Sequence, residues 1–599
     1  MKLISVILFT LTLSFYTFSQ LKIDTLNVTK TYFLKLTSEF TIDTVNTDTS
    51  FFHIHRYDEW FQNMGINLNN GVCAFYSFRQ EYVYQNPFWL RSLDVYYQPL
   101  SQRYFHTRVP FTQIRLIANT NRTYNEEIVK IVHTQNVNKK WNIGFEGISN
   151  KSIGKIPRQD NRFHYLMGST NYQGSRYYLW ANYYYSKLKA KENGGVQNPS
   201  FLTDSLFPPE NAMIFLQHAN NNYVVSNLTL QQWYKVNKSD TTNQNYTPWI
   251  IHQSSLLRAK KIFTDSPLDT FYYNNTFIDS TKTYDSLFYQ LHNHSIGLAI
   301  SQNPIKGNGL MIMARHLQRN TYSYLFPLNE NAITANISFW VRKTKYSAKV
   351  IFDFGVFGYL QNLLNIDIRY NKKISRNILW QNKLSYEKKE PDIFENNFYS
   401  NHYRWTKSFP FKKKIHLESS LKKENNKISL WITNVDNFVI FNNIQEPTLI
   451  PNFINAGMDL NKLFNWKNFY SYNKLLLQYI NDTNIQIPNA VFYSSLYYQN
   501  KLFKDVLTIQ FGADVWCHSK YKPVGYSPVL NNFYTTNNDA VGLYPVVSLF
   551  LNASLKRARF FVKMEHLNYQ WQKANFFLIH NYPLSPRMLK FGIFWNFYD

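Results

Sequence analysis

The sequence predicts an all-β protein: a transmembrane antiparallel up-and-down β-barrel of about 20 strands, within a range of roughly 16 to 24, with long extracellular loops. Three observations lead there. The chain ends on an aromatic strand, period-two alternation recurs from about residue 111 onward, and the connectors fall into two size classes.

In the terminal stretch, Leu589, Phe591, Ile593, Trp595 and Phe597 share one face when read with period two. Lys590, Gly592 and Asn596 break any uniformly apolar helix. A last strand with an open edge needs a neighbour, and pairing it with the first strand removes the edge altogether. In outer-membrane barrels such a strand is also read by the barrel-assembly machinery. That makes Phe591, Ile593, Trp595 and Phe597 the expected assembly strand and the machinery an expected partner.

At the other end, Lys2 precedes an apolar run from Leu3 to Phe18, and Thr17-Phe18-Ser19 offers small residues at the two cleavage positions. Residues 1–19 therefore read as a secretory signal peptide cut before Gln20, with no cysteine there to carry a lipid. No later run of about 18 apolar residues offers a helical span. Residues 20–110 show short, broken periodicity and are expected to form an N-terminal periplasmic or lumen-filling segment, leaving 111–599 for the barrel.

Composition agrees. The aromatic fraction is 18%, yet mean hydropathy is only −0.39, which suits strands apolar on one side and wet on the other. Cys73 and Cys517 are too few for a disulfide framework. The formal charge of +26 falls to +25 without Lys2. It fits an anion-favouring lumen or contact with lipopolysaccharide phosphates, but the lysines are scattered, which reads first as compositional bias. Nucleic-acid binding does not fit an exported chain.

The alternation is explicit in several runs. Trp141, Ile143 and Phe145 oppose Asn142, Gly144 and Glu146; Phe163, Tyr165 and Met167 oppose Arg162, His164 and Gly168. Tyr177, Leu179, Ala181, Tyr183 and Tyr185 resume after a turn at Asn171–Ser175, as in a hairpin meander. Tyr346, Ala348, Val350, Phe352 and Phe354 oppose Lys345, Ser347, Lys349 and Asp353, and Ile366 and Ile368 oppose Asp367 and Arg369. Lys349, Asp353, Asp367 and Arg369 are thus the expected pore-lining residues, a mixed-charge wall that biases which solutes pass. Connectors are tight, as at Asn371–Lys373, or long and polar, as at 187–222, 265–289 and 525–544.

Catalytic signatures are missing: no Gly-x-Ser-x-Gly elbow, phosphate-binding glycine loop or Cys-x-x-Cys occurs. His53 with His55 and His292 with His294 could each share a metal, but no third ligand has diagnostic spacing. The adjacent pairs Asp58-Glu59 and Glu126-Glu127 point to opposite faces of a strand and are poor acid–base partners. No catalytic residue, cofactor or metal is assigned, and an enzyme is not expected.

Several segments carry a resemblance: His133-Thr-Gln-Asn136 with Trp141-Asn142, Lys191-Glu-Asn-Gly-Gly195 and Ser400-Asn-His-Tyr-Arg-Trp405. Leu555-Lys-Arg-Ala-Arg559 with Lys563-Met-Glu-His566, and Tyr582-Pro583 before Arg587 to Trp595, continue it. In order and spacing these resemble the putative outer-membrane porin family of Bacteroidota, across nearly the whole chain. The resemblance implies an outer-membrane barrel with a channel role and supplies no binding residues. The closing Phe597-Tyr-Asp599 departs from a terminal aromatic. The expected function is diffusion of small hydrophilic solutes, with anions favoured if the charge lines the lumen. The alternative is a non-conducting barrel that docks a secretion or gliding machine.

Overall fold

The computed structural model describes residues 29–35, 39–44, 64–65, 75–76, 86–91, 102–119, 124–199, 207–236, 247–301, 308–323, 326–569, 571 and 577–598. The expected signal peptide, the His53–His55 pair, the Asp58-Glu59 pair and Cys73 lie outside them.

Twenty-two antiparallel strands close into one barrel. In chain order they are β1 Phe111–Asn119, β2 Asn125–Asn138, β3 Trp141–Ile153, β4 Asp160–Gln173, β5 Tyr177–Lys191, β6 Asn220–Lys235, β7 Thr247–Asp265 and β8 Thr283–Ser301. Then come β9 Gly309–Ser323, β10 Phe326–Arg342, β11 Tyr346–Gly358, β12 Leu364–Lys373, β13 Ile378–Lys389, β14 Lys412–Lys423 and β15 Asn426–Phe441. The last are β16 Pro447–Trp466, β17 Phe469–Ile480, β18 Ala490–Leu502, β19 Leu507–His518, β20 Val546–Leu555, β21 Ala558–Glu565 and β22 Met588–Tyr598. Each strand pairs with its chain neighbours. The expected closure is present: β22 pairs with β1, from Lys590 against Asn119 to Tyr598 against Phe111.

Parity divides the wall. On β3, Trp141, Ile143 and Phe145 are exposed outward while Asn142, Glu146 and Asn150 are buried inward. On β22, Phe591, Ile593 and Trp595 face out beside Phe597, and Lys590 and Asn596 face in. The outward band is aliphatic, as in Ile296, Leu298 and Ile300, and is bordered by exposed Trp141, Tyr234, Trp380, Trp466 and Trp595, the girdle of a membrane barrel. No helix is long and apolar enough to cross a membrane among the described residues.

The two rims differ. Along the rim that holds the start of β1 and the end of β22, connections such as 139–140, 343–345, 424–425 and 556–557 are tight. Along the other, 192–219, 266–282, 390–411, 519–545 and 566–587 are long. The expected loops were too wide where 187–191, 220–222 and 283–289 continue as strand. The tight turn after Lys373 lies at 374–377 rather than 371–373. Charged and polar residues continue strands above the band because water, not lipid, lies outside them there.

The same reason inverts one expected face. On β4, Phe163, Tyr165 and Met167 turn inward, with Phe163 and Met167 buried, while Arg162 and His164 point out and are exposed. Near the long-loop rim the exterior is aqueous and the interior is filled, so the apolar side belongs inside.

The interior as candidate functional site

On β11 and β12 the register places Lys349 beside Arg369, Ile351 beside Asp367 and Asp353 beside Asn365. The four lining candidates from sequence are therefore neighbours on one inward patch. Asp353 accepts hydrogen bonds from Asn336 (2.5 Å) and Asn365 (3.1 Å), and Asp367 pairs with Arg369 at 2.6 Å.

Pairing is general on the inner wall. Lys130 meets Glu146 at 2.6 Å, Lys414 meets Glu387 at 3.1 Å and Lys563 meets Asp514 at 3.1 Å. Lys590, fully buried, bridges Glu126 of β2 and Glu565 of β21 (the latter at 2.9 Å), so one ammonium links strands on both sides of the closing seam. The Glu126-Glu127 pair splits as parity demands, with Glu126 inside and Glu127 exposed.

A short N-terminal stretch lies against this wall. Thr29–Lys35, Glu39–Thr44 and Gln102–Thr107 form a three-stranded sheet. Tyr104 is buried in one apolar cluster with Trp180, Trp233, Trp249 and Trp340 and accepts a hydrogen bond from Asn182 (2.9 Å). Asn171 donates to the Phe105 carbonyl at 2.9 Å, and the Thr107 amide donates to Asn136 at 3.1 Å. These asparagines sit toward the tight-turn rim.

The helix α1, Phe88–Arg91, docks at the opposite rim. Phe88, Trp89 and Leu90 are fully buried. Phe88 packs on Phe441 and Phe398, and Trp89 packs edge-on to Phe394. The Arg91 guanidinium reaches Asp392 and Glu395 of loop 390–411, both at 3.2 Å, and Lys412 takes Glu395 at 2.6 Å. Asp392 also caps the next helix, α2 (Ile393–Asn396), by accepting from the Phe394 amide. No period-two signal marks Phe88–Arg91, so sequence reading did not single it out.

The long loops lock to one another and to the wall. Lys261 donates to the Pro528 and Val529 carbonyls, drawing loop 519–545 inward, and Asn531 donates to the Trp89 carbonyl at 2.6 Å. His402 stacks on Tyr273 at 3.6 Å; its Nδ1 meets the Asn275 carbonyl at 2.9 Å and its Nε2 meets Thr283 at 2.6 Å. Burial holds the His402 imidazole down at about 4, against the smaller upward pull of the Asn275 carbonyl. Burial also pushes the Glu192 carboxyl up to about 7, offset in part by Asn221, Lys261 and Arg158. Gly194 and Gly195 take positive φ of 67° and 92°, and a Cβ on Gly195 would lie 2.8 Å from Asn581. Only glycine fits this approach of loop 192–219 to loop 566–587. The motifs Lys191–Gly195, Ser400–Trp405 and Tyr582-Pro583 are thus the parts that interlock the loops.

His292 and His294 share a face with rings 4.0 Å apart, but that face is the exterior of β8, continuous with Ile296 and Leu298. Among the described residues they belong to no cluster of three metal ligands.

Residues 26–599 match the putative porin family. The chain belongs to that family. This makes it an outer-membrane transport barrel by kinship, in a family that is not one of enzymes. No curated protein matches it. Among solved structures it resembles the FrpB iron transporter from Neisseria meningitidis, with TM-score 0.57 and 8% identity over 82% of this chain and 83% of that one. The ferric enterobactin receptor of Pseudomonas aeruginosa gives 0.56 at 10% identity over 82% and 80%. The siderophore receptor PirA from Acinetobacter baumannii gives 0.53 at 9% over 83% and 82%. At such identities the likeness is one of fold, and it places this porin among 22-strand barrels.

Proposed function

We propose that this porin passes small hydrophilic solutes across the outer membrane through a lumen gated by its N-terminal segment and its inward-folded loops. The observation that carries the reading is α1, whose Phe88, Trp89 and Leu90 are fully buried inside the long-loop rim and whose Arg91 is clamped to Asp392 and Glu395. A 22-strand wall encloses more space than its own side chains fill, so such barrels hold a plug. Among residues 20–110, the three-stranded sheet and α1 serve that role here, and Lys349, Asp353, Asp367 and Arg369 line the path once they are released.

Anion preference belongs to the mouth in this reading. The wall's charges are largely paired, whereas exposed cations collect on the tight-turn rim: Lys139 and Lys140, Lys343 and Lys345, Lys372 and Lys373, Lys422 and Lys423, Lys556 and Arg557. Among the described turns there, Glu424 and Asp505 are the acids. A ring of one sign concentrates counter-ions at the entrance.

The exterior supports the lipid partners. Above the aliphatic band, Arg162 and His164 on β4 stand beside Lys189 and Lys187 on β5, all facing outward. Arg258 bonded to Gln290, then His292, His294 and His316, continue the belt across β7 to β9. Lipopolysaccharide phosphates are the anions available at that height. Export by the cleaved leader and recognition of Phe591, Ile593, Trp595 and Phe597 by the assembly machinery complete the proposal.

Planar-bilayer recording of the refolded, heat-modifiable protein tests it. Brief steps in the native protein that lengthen when the Arg91 clamp is cut support a gated porin. Silence from both would reject it in favour of a docking barrel, which the packed interior would also suit.

A further inference from the structure

We propose that His218, Asp265 and Asp269 form a divalent-cation site, of the kind zinc occupies, at the long-loop rim. One ligand atom from each lies within 4.8 Å of the others, the spread a single small cation spans. The three come from separate pieces: His218 closes loop 192–219, Asp265 ends β7 and Asp269 begins loop 266–282.

The arrangement is built. Each carboxylate spends one oxygen on the protein and keeps the other for the centre. Asp265 Oδ2 accepts from the Asp269 amide at 3.1 Å and from the Tyr273 hydroxyl at 2.8 Å. Asp269 Oδ2 accepts from the Gln217 amide at 2.6 Å and the His218 amide at 3.2 Å. Such outer bonds fix a ligand's direction. The remaining Asp269 Oδ1 faces His218 Nδ1 at 3.5 Å.

The second observation is Asp265 itself. It is fully buried, and its Oδ1 has no hydrogen-bond partner, although a second carboxylate stands beside it. A buried carboxylate oxygen without a donor is costly, and two adjacent anions raise that cost. A cation relieves both. Arg158 stands nearby but directs its donors to the Glu192 and Ala219 carbonyls and to the Asn220 side chain. One imidazole with two carboxylates suits zinc better than calcium, and three protein ligands leave open positions toward solvent on the His218 side, where the ring is 43% exposed. Bound there, the ion would pin loops 192–219 and 266–282 to the end of β7.

The test is calorimetric titration of Zn²⁺ into the EDTA-treated full chain in detergent, with Ca²⁺ and Mg²⁺ in parallel, for the native protein, His218→Ala and Asp265→Asn. The expected result is one Zn²⁺ per chain, weakened at least about tenfold in each variant. Zn²⁺ should also slow proteolysis of loop 266–282 in the native protein only. His218→Ala changes an exposed side chain, and retained heat-modifiability shows that it folds. Zinc binding equal in all three proteins, absence of binding in the native one, or calcium bound in preference to zinc would each overturn the assignment.

Discussion

Arg91→Ala should open this porin. The guanidinium holds two carboxylates whose side chains are only 6% and 0% exposed, while Arg91 itself is 15% exposed. Removing one partner of a buried ion pair costs roughly 3–5 kcal/mol, because the other charge is left without compensation. Lys412 remains on Glu395, so the lower end applies, about 3 kcal/mol. That energy counts against the docked state alone, since a released α1 leaves Asp392 and Glu395 to relax with their loop. It corresponds to a shift of roughly a hundredfold in the docked-to-released ratio. The assay is open probability in single-channel records, with chymotrypsin cleavage after Phe88 or Trp89, both fully buried while α1 is docked, as an independent readout of release. Open probability should rise by up to about two orders of magnitude, and Arg91→Lys should fall between. Because the pair is largely desolvated, the difference should persist in high salt. An Arg91→Ala protein whose open probability and cleavage match the native protein would refute the clamp.

Other predictions address the wall, the loops and the mouth. Lys590→Met strands Glu126 and Glu565 at the seam and should destabilise the barrel by about 3–5 kcal/mol in urea titration, whereas adding Glu126→Gln and Glu565→Gln should recover most of the loss. Equal midpoints for the single variant and the native protein would sink that account. His402 is held neutral with its pKa near 4, below the ordinary 6.5, so its folded state binds fewer protons. Its contribution is complete above about pH 6.5 and is lost progressively as pH falls toward 4, by about 3 kcal/mol in all. Proteolysis of loops 266–282 and 390–411 should accelerate over that window and lose this dependence in His402→Gln. Rim-based anion preference should appear in reversal potentials at low salt and fade near 1 M, where screening reaches only about 3 Å. Replacing Lys343, Lys345, Lys556 and Arg557 with glutamate should invert it. A preference unchanged by salt would place selectivity in the wall.

The sequence by itself determined the class of structure. Strand alternation requires only local periodicity and a solvent on each side, so Trp141, Ile143 and Phe145, or Phe591, Ile593 and Trp595, declare the wall without any long-range information. Connector length is equally local, and it showed two unlike rims. Closure followed because an unpaired final edge is unfavourable, and β22 does pair with β1.

What alternation could not carry was which side is apolar above the membrane. Phe163 and Met167 turn inward because packed loops, rather than water, fill that end of the barrel. Scattered lysines looked like bias along the chain. What spacing along the chain does not show is that every second turn lies at the same rim, so residues some 200 apart, such as Lys140 and Lys343, share it. The Arg91 clamp, the Lys590 bridge and the His218, Asp265 and Asp269 cluster join residues with no shared spacing. Their meeting depends on strand order, register and the way loops fold inward. Those are properties of the closed barrel, and only the tertiary structure decides them.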